Sequence, residues 1–128
     1  MMGATTGLEK SVKCTAAITV AFTIAKFGAD DDTLSLAGAV SDDLVGIFQH
    51  TTAAAGDEVR VRLEGISDLK IGGNVTRGDW LTADSSGRGV TAAPATGVNN
   101  KIIGRALASG VLDDIIPCHL IQGQIQGA

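Results

Sequence analysis

The clearest pattern in the chain lies between Gly56 and Val90. Val59, Val61 and Leu63 alternate with Glu58, Arg60, Arg62 and Glu64. Successive side chains of a strand point to opposite faces, so this alternation predicts a half-buried strand with a charged outer face. Beyond it, Gly72-Gly73, Gly78-Asp79 and Asp84-Ser85-Ser86-Gly87 are turn signals between short apolar runs. Short strands separated by such turns predict an all-β fold, a small β-barrel or sandwich-like domain with little helix.

The same test applies on either side. Cys14, Ala16, Ile18, Val20, Phe22 and Ile24 alternate with Thr15, Ala17, Thr19, Ala21, Thr23 and Ala25. The run follows Lys10 and Lys13, as in a signal peptide, but a signal or membrane helix has no reason to alternate. It is also shorter than the about 20 residues a bilayer-spanning helix needs. We read one long strand over 14–26, one face large and apolar, the other small. Leu34, Leu36, Gly38 and Val40 alternate with Ser35, Ala37, Ala39 and Ser41 and predict a second strand. Leu44–Phe48 predicts a short buried one. Lys101–Ala108 and Asp114–Gln122 predict two more, with Pro117 suggesting an edge strand or a strand start.

Residues 1–12 show no periodicity. They read as an extended N-terminal arm, 1–13 with the joint included, that could add a strand to another protein. Leu8 and Val12 are its candidate apolar contacts. Residues 14–122 form the β core of a single domain spanning 1–128, and 123–128 a short polar tail. One internal echo is visible. Val45-Gly46-Ile47, a small-residue loop with Gly56-Asp57, and Val59-Val61-Leu63 return about 58 residues later as Ile103-Gly104-Arg105, a loop with Asp113-Asp114, and Ile116-Cys118-Leu120.

Composition narrows the function classes. The 128 residues include 17 Gly but only 3% aromatics and no Tyr, which suits thin β-layers built from Val, Ile, Leu and Ala. A net charge of -4, without a basic run or an aromatic platform, argues against nucleic acid as a partner. No segment predicts a membrane partner. Cys14 and Cys118 match no metal-ligand spacing and read as buried free thiols. Asp30-Asp31-Asp32 lacks the ligand spacing of a calcium loop and reads as a solvated acidic turn. His50 and His119 have no partner at ligand spacing. There is no phosphate loop of the Gly-x4-Gly-Lys type and no Gly-x-Ser-x-Gly elbow. Accordingly we expect no catalytic residue, no metal and no cofactor. Trp80, the sole Trp, reads either as core or as an anchor at a subunit contact with Arg77 beside it, since interface centres favour Trp and Arg.

The order of several motifs carries a resemblance. Leu44-Val45-Gly46-Ile47, Ala55-Gly56-Asp57-Glu58-Val59-Arg60-Val61 and Leu63-Glu64-Gly65 come first. Gly73-x4-Gly78-Asp79-x-Leu81-x2-Asp84-x2-Gly87 and Ile103-Gly104-Arg105-Ala106 follow. Over roughly residues 40–122 the chain resembles the capsid cement, or head decoration, proteins of tailed bacteriophages. The resemblance implies a small β-rich virion protein, made in the host cytoplasm, that binds the outer face of the mature shell. It implies the major capsid protein as partner, a homo-oligomer with a trimer favoured, and no enzyme activity. A non-catalytic glycan- or protein-binding β module of a fibre or adhesin is the alternative. The single Trp and absent Tyr equip the chain poorly for glycan stacking.

Overall fold

A computed structural model describes residues 7–128, and among them are ten strands and no helix. They are β1 Glu9–Cys14, β2 Ile24–Phe27, β3 Thr33–Leu36, β4 Leu44–Phe48, β5 Glu58–Arg62, β6 Gly65–Lys70, β7 Trp80–Ala83, β8 Gly89–Thr91, β9 Asn99–Ala106 and β10 Ile115–Gln126. The first five close into a barrel in the order β1-β3-β2-β4-β5. The other five form a sheet in the order β6-β10-β9-β7-β8. The all-β expectation is correct.

Two apolar clusters hold the layers together. Cys14, Ile18, Ala25, Leu34, Phe48, Val59 and Val61 fill the barrel. Ile24, Leu44 and Ile47 pack outward from the barrel against Leu69, Ile71, Leu81, Ile103, Ile116 and Cys118 of the second sheet and its connections. Strands β2 and β4 are therefore a shared wall, buried on both faces: Ile24 and Ala25 point into different clusters, as do Ile47 and Phe48. A strand buried on both sides has no polar face to show, which is why Leu44–Phe48 reads as a continuous apolar run.

Four strands begin with the same device. Asp42, Asp57, Asp79 and Asp114 each accept, through a carboxylate oxygen, the backbone N–H of the residue three earlier, at 2.9–3.0 Å. Each also donates its own N–H to that residue's carbonyl, at 3.0–3.3 Å. The turns leading into Asp57, Asp79 and Asp114 need a positive φ at the residue before Asp, supplied by Gly56 (+86°), Gly78 (+94°) and Asp113 (+69°). Asp satisfies the turn's backbone, and Gly meets its left-handed position without strain.

The internal echo has a structural counterpart. Ile47 pairs with Arg62 and Phe48 with Val61 in β4–β5. Arg105 pairs with His119 and Ala106 with Cys118 in β9–β10. In each hairpin a glycine of the first strand presses on the second. A Cβ on Gly46 would collide with the Arg62 carbonyl, and one on Gly104 with the His119 carbonyl.

Four expectations are corrected. The strand over 14–26 is broken: Cys14 ends β1, and residues 15–23 cross irregularly to β2. That crossing is tied down elsewhere, with the Ile18 N–H donating to Thr52 Oγ1 and the Phe22 N–H to the Phe48 carbonyl. Phe22 sits at φ +62°, incompatible with a strand. Consequently Val20 is exposed while Thr23, Ile24 and Ala25 are all buried, and the alternation in the sequence does not match the alternation of faces.

Part of the expected arm, from Glu9 onward, is β1. It pairs with β5 from Glu9↔Arg62 to Lys13↔Glu58 and with β3 at Lys13 and Cys14. Its backbone is committed within the barrel and not available to an outside edge; residues 1–6 lie outside the described part. What holds it is non-local: the Glu9 carboxylate accepts from Arg62 Nη2 at 2.6 Å and Nε at 3.2 Å. Much of the expected tail is strand as well, since Gly123–Gln126 pair with Asn99–Ile102 beyond a bulge after Leu120. Finally, β10 is an interior strand despite Pro117, lying between β6 and β9. The Pro117 carbonyl accepts from Leu107, just past the end of β9. The missing donor therefore faces the rim of the sheet, where the ladder has already finished.

Candidate functional site

The second sheet turns one face to the apolar cluster and the other outward. Strand register places a row across that outer face. Trp80 of β7 pairs with Arg105 of β9, Arg105 with His119 of β10, and His119 with Ile66 of β6. Directly opposed residues share a face of the sheet and pack against one another. Arg105 and His119 are exposed, and Trp80 and Ile66 are half-buried. The guanidinium carbon of Arg105 lies 5.2 Å from the centre of the Trp80 ring. Its Nε donates to the Gly78 carbonyl at 3.0 Å. The cation is thus fixed at both ends, over the ring and on the turn that leads into β7, an arrangement of the cation–π kind.

Beside this row the surface falls into a cleft of about 300 Å³ lined by Trp80, Ile102 and residues 121–125. It adjoins, through Ile102, Gly123 and Gln124, a second depression of about 380 Å³ walled by Phe27, Leu44 and Lys101. Phe27 also borders a third, of about 400 Å³, at the barrel mouth with Val12, Val45 and Leu63. Phe27 is 65% exposed. Together these follow the junction of barrel and sheet, apolar at Ile102, Leu44 and Phe27 and charged at Lys101, Asp43 and residues 30–32. The Gln122 side-chain amide crosses that junction to the Val45 carbonyl.

The sequence-derived contact residues are distributed over both layers. Leu8 is exposed, and its carbonyl accepts from the Leu63 N–H at 2.8 Å. Val12 is half-buried against the barrel interior. Arg77 is exposed, with its backbone N–H donating to Ser109 Oγ. The arginine that meets Trp80 is Arg105, distant in sequence, and not Arg77. Arg105 was missed because only the register of β7 on β9 brings it to Trp80. The available signal was a charge inside the otherwise apolar run that follows Lys101, from Ile102 to Ala108.

Other chemical groups serve the fold. His50 Nε2 accepts the Arg60 N–H at 3.1 Å, and its Nδ1 lies 3.0 Å from the Thr51 carbonyl, bracing the β4–β5 connection. The residues 30–33 form a turn in which the Thr33 hydroxyl donates to the Asp30 carbonyl at 2.7 Å. Among the described residues no three His, Cys, Asp or Glu side chains converge as a metal site. Cys14 and Cys118 are buried free thiols. Burial pushes the Cys118 thiol up to about 12, so it carries no reactive thiolate at neutral pH.

No curated protein matches the chain. Among solved structures, it is similar to the head fiber gp8.5 N base of bacteriophage phi29, with a TM-score of 0.65 at 15% identity, over 93% of this chain and 98% of that one. At that identity the likeness concerns the fold. A family model described as phage cement protein matches residues 10–111. The chain therefore belongs to the phage cement protein family and is a structural, capsid-associated protein of a bacteriophage.

Proposed function

We propose that this chain binds the outer surface of the phage capsid, on the major capsid protein, and stabilises the mature shell. The observation that carries the reading is the outer face of the second sheet. A rigidly mounted Trp80–Arg105 pair stands there beside a cleft lined by Ile102, Ile121 and Ile125, the side-chain types that dominate protein contacts.

Such a role needs adhesion and not turnover. Packaged genome presses the shell outward, and a protein spanning neighbouring shell subunits opposes their separation. Each contact is weak, but engaging several subunits at once makes the later contacts intramolecular and multiplies the hold. A strand-borne site suits this, because side chains on a sheet present a fixed geometry at little entropic cost. The β ladder holds the backbone under Trp80, and Arg105 holds its ring.

Co-sedimentation of the chain with undecorated heads tests the proposal. Saturable binding is expected, weakened at least tenfold by Trp80→Ala. Binding that Trp80→Ala and Arg105→Ala leave unchanged would remove this face from the account. A glycan-binding reading gains nothing from the geometry, since Arg105 covers one face of the only Trp ring.

A further inference from the structure

Most arginines of this protein are matched by carboxylates. Arg60 and Arg62 meet Glu9 at 3.9 and 2.6 Å, and Arg88 meets Asp84 and Asp113, both at 3.1 Å. Arg105 meets no carboxylate among the described residues, although Asp and Glu outnumber Lys and Arg by 14 to 10 in the chain. The acidic groups around it are engaged or out of register. Asp79, beside Trp80, accepts from the Thr76 N–H and the Thr91 hydroxyl, both at 2.9 Å. Asp68 is the only acidic strand residue of the second sheet, and it opposes Pro117, whereas Arg105 opposes His119.

Arg105 is nonetheless held in place. Its guanidinium lies over the Trp80 ring, and its Nε is committed to the Gly78 carbonyl. Nη1 and Nη2 make no hydrogen bond to a described residue and remain as the outward edge of the fork. Two parallel N–H groups in that geometry match the two oxygens of a carboxylate. The side-chain entropy that binding ordinarily removes is already largely lost, so the fork is pre-organised for a partner.

The two related hairpins show which face is meant to be covered. Arg105 stands in β9–β10 where Ile47 stands in β4–β5: each follows the glycine that presses on the facing strand. Ile47 is fully buried, because the second sheet lies on that face of the first layer. Arg105 is exposed, with no further layer of the described chain upon it.

We propose that the covering layer is an acidic patch of the capsid protein, and that an aspartate or glutamate carboxylate there is held end-on by Nη1 and Nη2 of Arg105. The inference rests on the capsid-binding reading and adds to it the chemistry of the partner. A chain of net charge -4 is repelled by an acidic patch in most orientations. The approach that leads with Arg105 is the exception, so the pairing fixes register and excludes wrong dockings.

Co-sedimentation with undecorated heads across a salt series tests it. Arg105→Gln is expected to weaken binding at least about tenfold at about 0.1 M salt and to flatten the salt dependence, because the lost contact is one that ions screen. Lys13→Gln removes the same charge from an exposed position of β1 and is expected to change neither. Arg105→Lys keeps the charge without the fork and is expected to fall between. With that variant bound, a carbodiimide is expected to join the new amine to a capsid aspartate or glutamate as an amide, located by mass spectrometry. Heads that bind no chain at all overturn the capsid-binding reading and this inference with it. Binding that Trp80→Ala weakens, while Arg105→Gln leaves its strength and salt dependence as in the parent, overturns the inference alone. So does a weakened Arg105→Gln whose salt dependence is unchanged, which would reduce Arg105 to a support for the Trp80 ring. A bound Arg105→Lys chain without a cross-link at position 105 does the same.

Discussion

The guanidinium of Arg105 lies over the ring of Trp80 at 5.2 Å, although 24 positions separate them in a chain where Arg77 is the nearer arginine. The pair is held by Arg105 Nε on the Gly78 carbonyl, so it links β9 to β7 and to the turn that leads into β7. Arg105→Ala is expected to cost the free protein only about 0.5–1 kcal/mol, typical of an exposed cation–π contact. Because Trp80 is the sole Trp, its fluorescence reports the loss directly. Its emission should change in Arg105→Ala and stay as in the parent in Arg77→Ala.

Glu9 and Arg62 join β1 to β5. The Arg62 side chain is 11% exposed and that of Glu9 27%. Arg62 also donates to the Ile66 carbonyl at 2.8 Å, which ties the barrel to the start of the second sheet. Glu9→Ala leaves a mostly buried cation with one partner fewer. A loss of about 1.5–3 kcal/mol is expected in urea unfolding, the range for hydrogen bonds to charged groups. Glu58→Ala, on an exposed position of β5, should stay within about 0.5 kcal/mol.

Gly46 and Gly104 occupy equivalent places in the two hairpins, each against a carbonyl of the facing strand. Alanine at either has backbone as its obstacle, so relief requires the strands to part. Each substitution is expected to lower stability by about 3 kcal/mol or more, at or beyond the upper end of overpacking costs. Gly123→Ala meets nothing within 4 Å and should cost less than about 1 kcal/mol. Thermal melts of the three variants in dilute solution compare them.

The Cys118 thiol, raised by burial from 9.0 to about 12, links stability to alkaline pH. Below pH 9 the thiol is protonated in both folded and unfolded chains and contributes no slope. Between 9 and about 12 only the unfolded chain releases the proton, so stability falls as pH rises. The limiting slope is about 1.4 kcal/mol per pH unit. Cys118→Ala is expected to flatten that part of the pH profile, and iodoacetamide should modify Cys118 only when the chain unfolds.

What was legible in the sequence was local. Glu58 to Val61 alternate because one face packs in the barrel and the other meets water, while Arg62, read as part of the charged outer face, is buried against Glu9. Gly78-Asp79 reads as a turn because a left-handed residue followed by a capping Asp is chemistry contained within four positions; Gly56-Asp57, read only as part of a loop, builds the same turn. Asp113-Asp114 builds the same turn with Asp at φ +69°, so it was visible only as an acidic pair. Where one strand serves two cores, as at Ile24-Ala25, periodicity misleads, and the run 14–26 looked continuous. Glu9–Cys14 has few apolar residues and owes its place to β5 and Arg62, which no local pattern reports. The outer-face row of Trp80, Arg105, His119 and Ile66 depends on the register of four strands. Of the four, only Trp80 reads from the sequence as a candidate contact.

The most direct measurement is electron cryomicroscopy of undecorated heads mixed with the purified chain. Added density on the outer surface of the shell, oriented with Trp80 and Arg105 toward the capsid protein, is the expected result. Heads that remain bare, or bound copies whose second sheet faces solvent, would contradict the account.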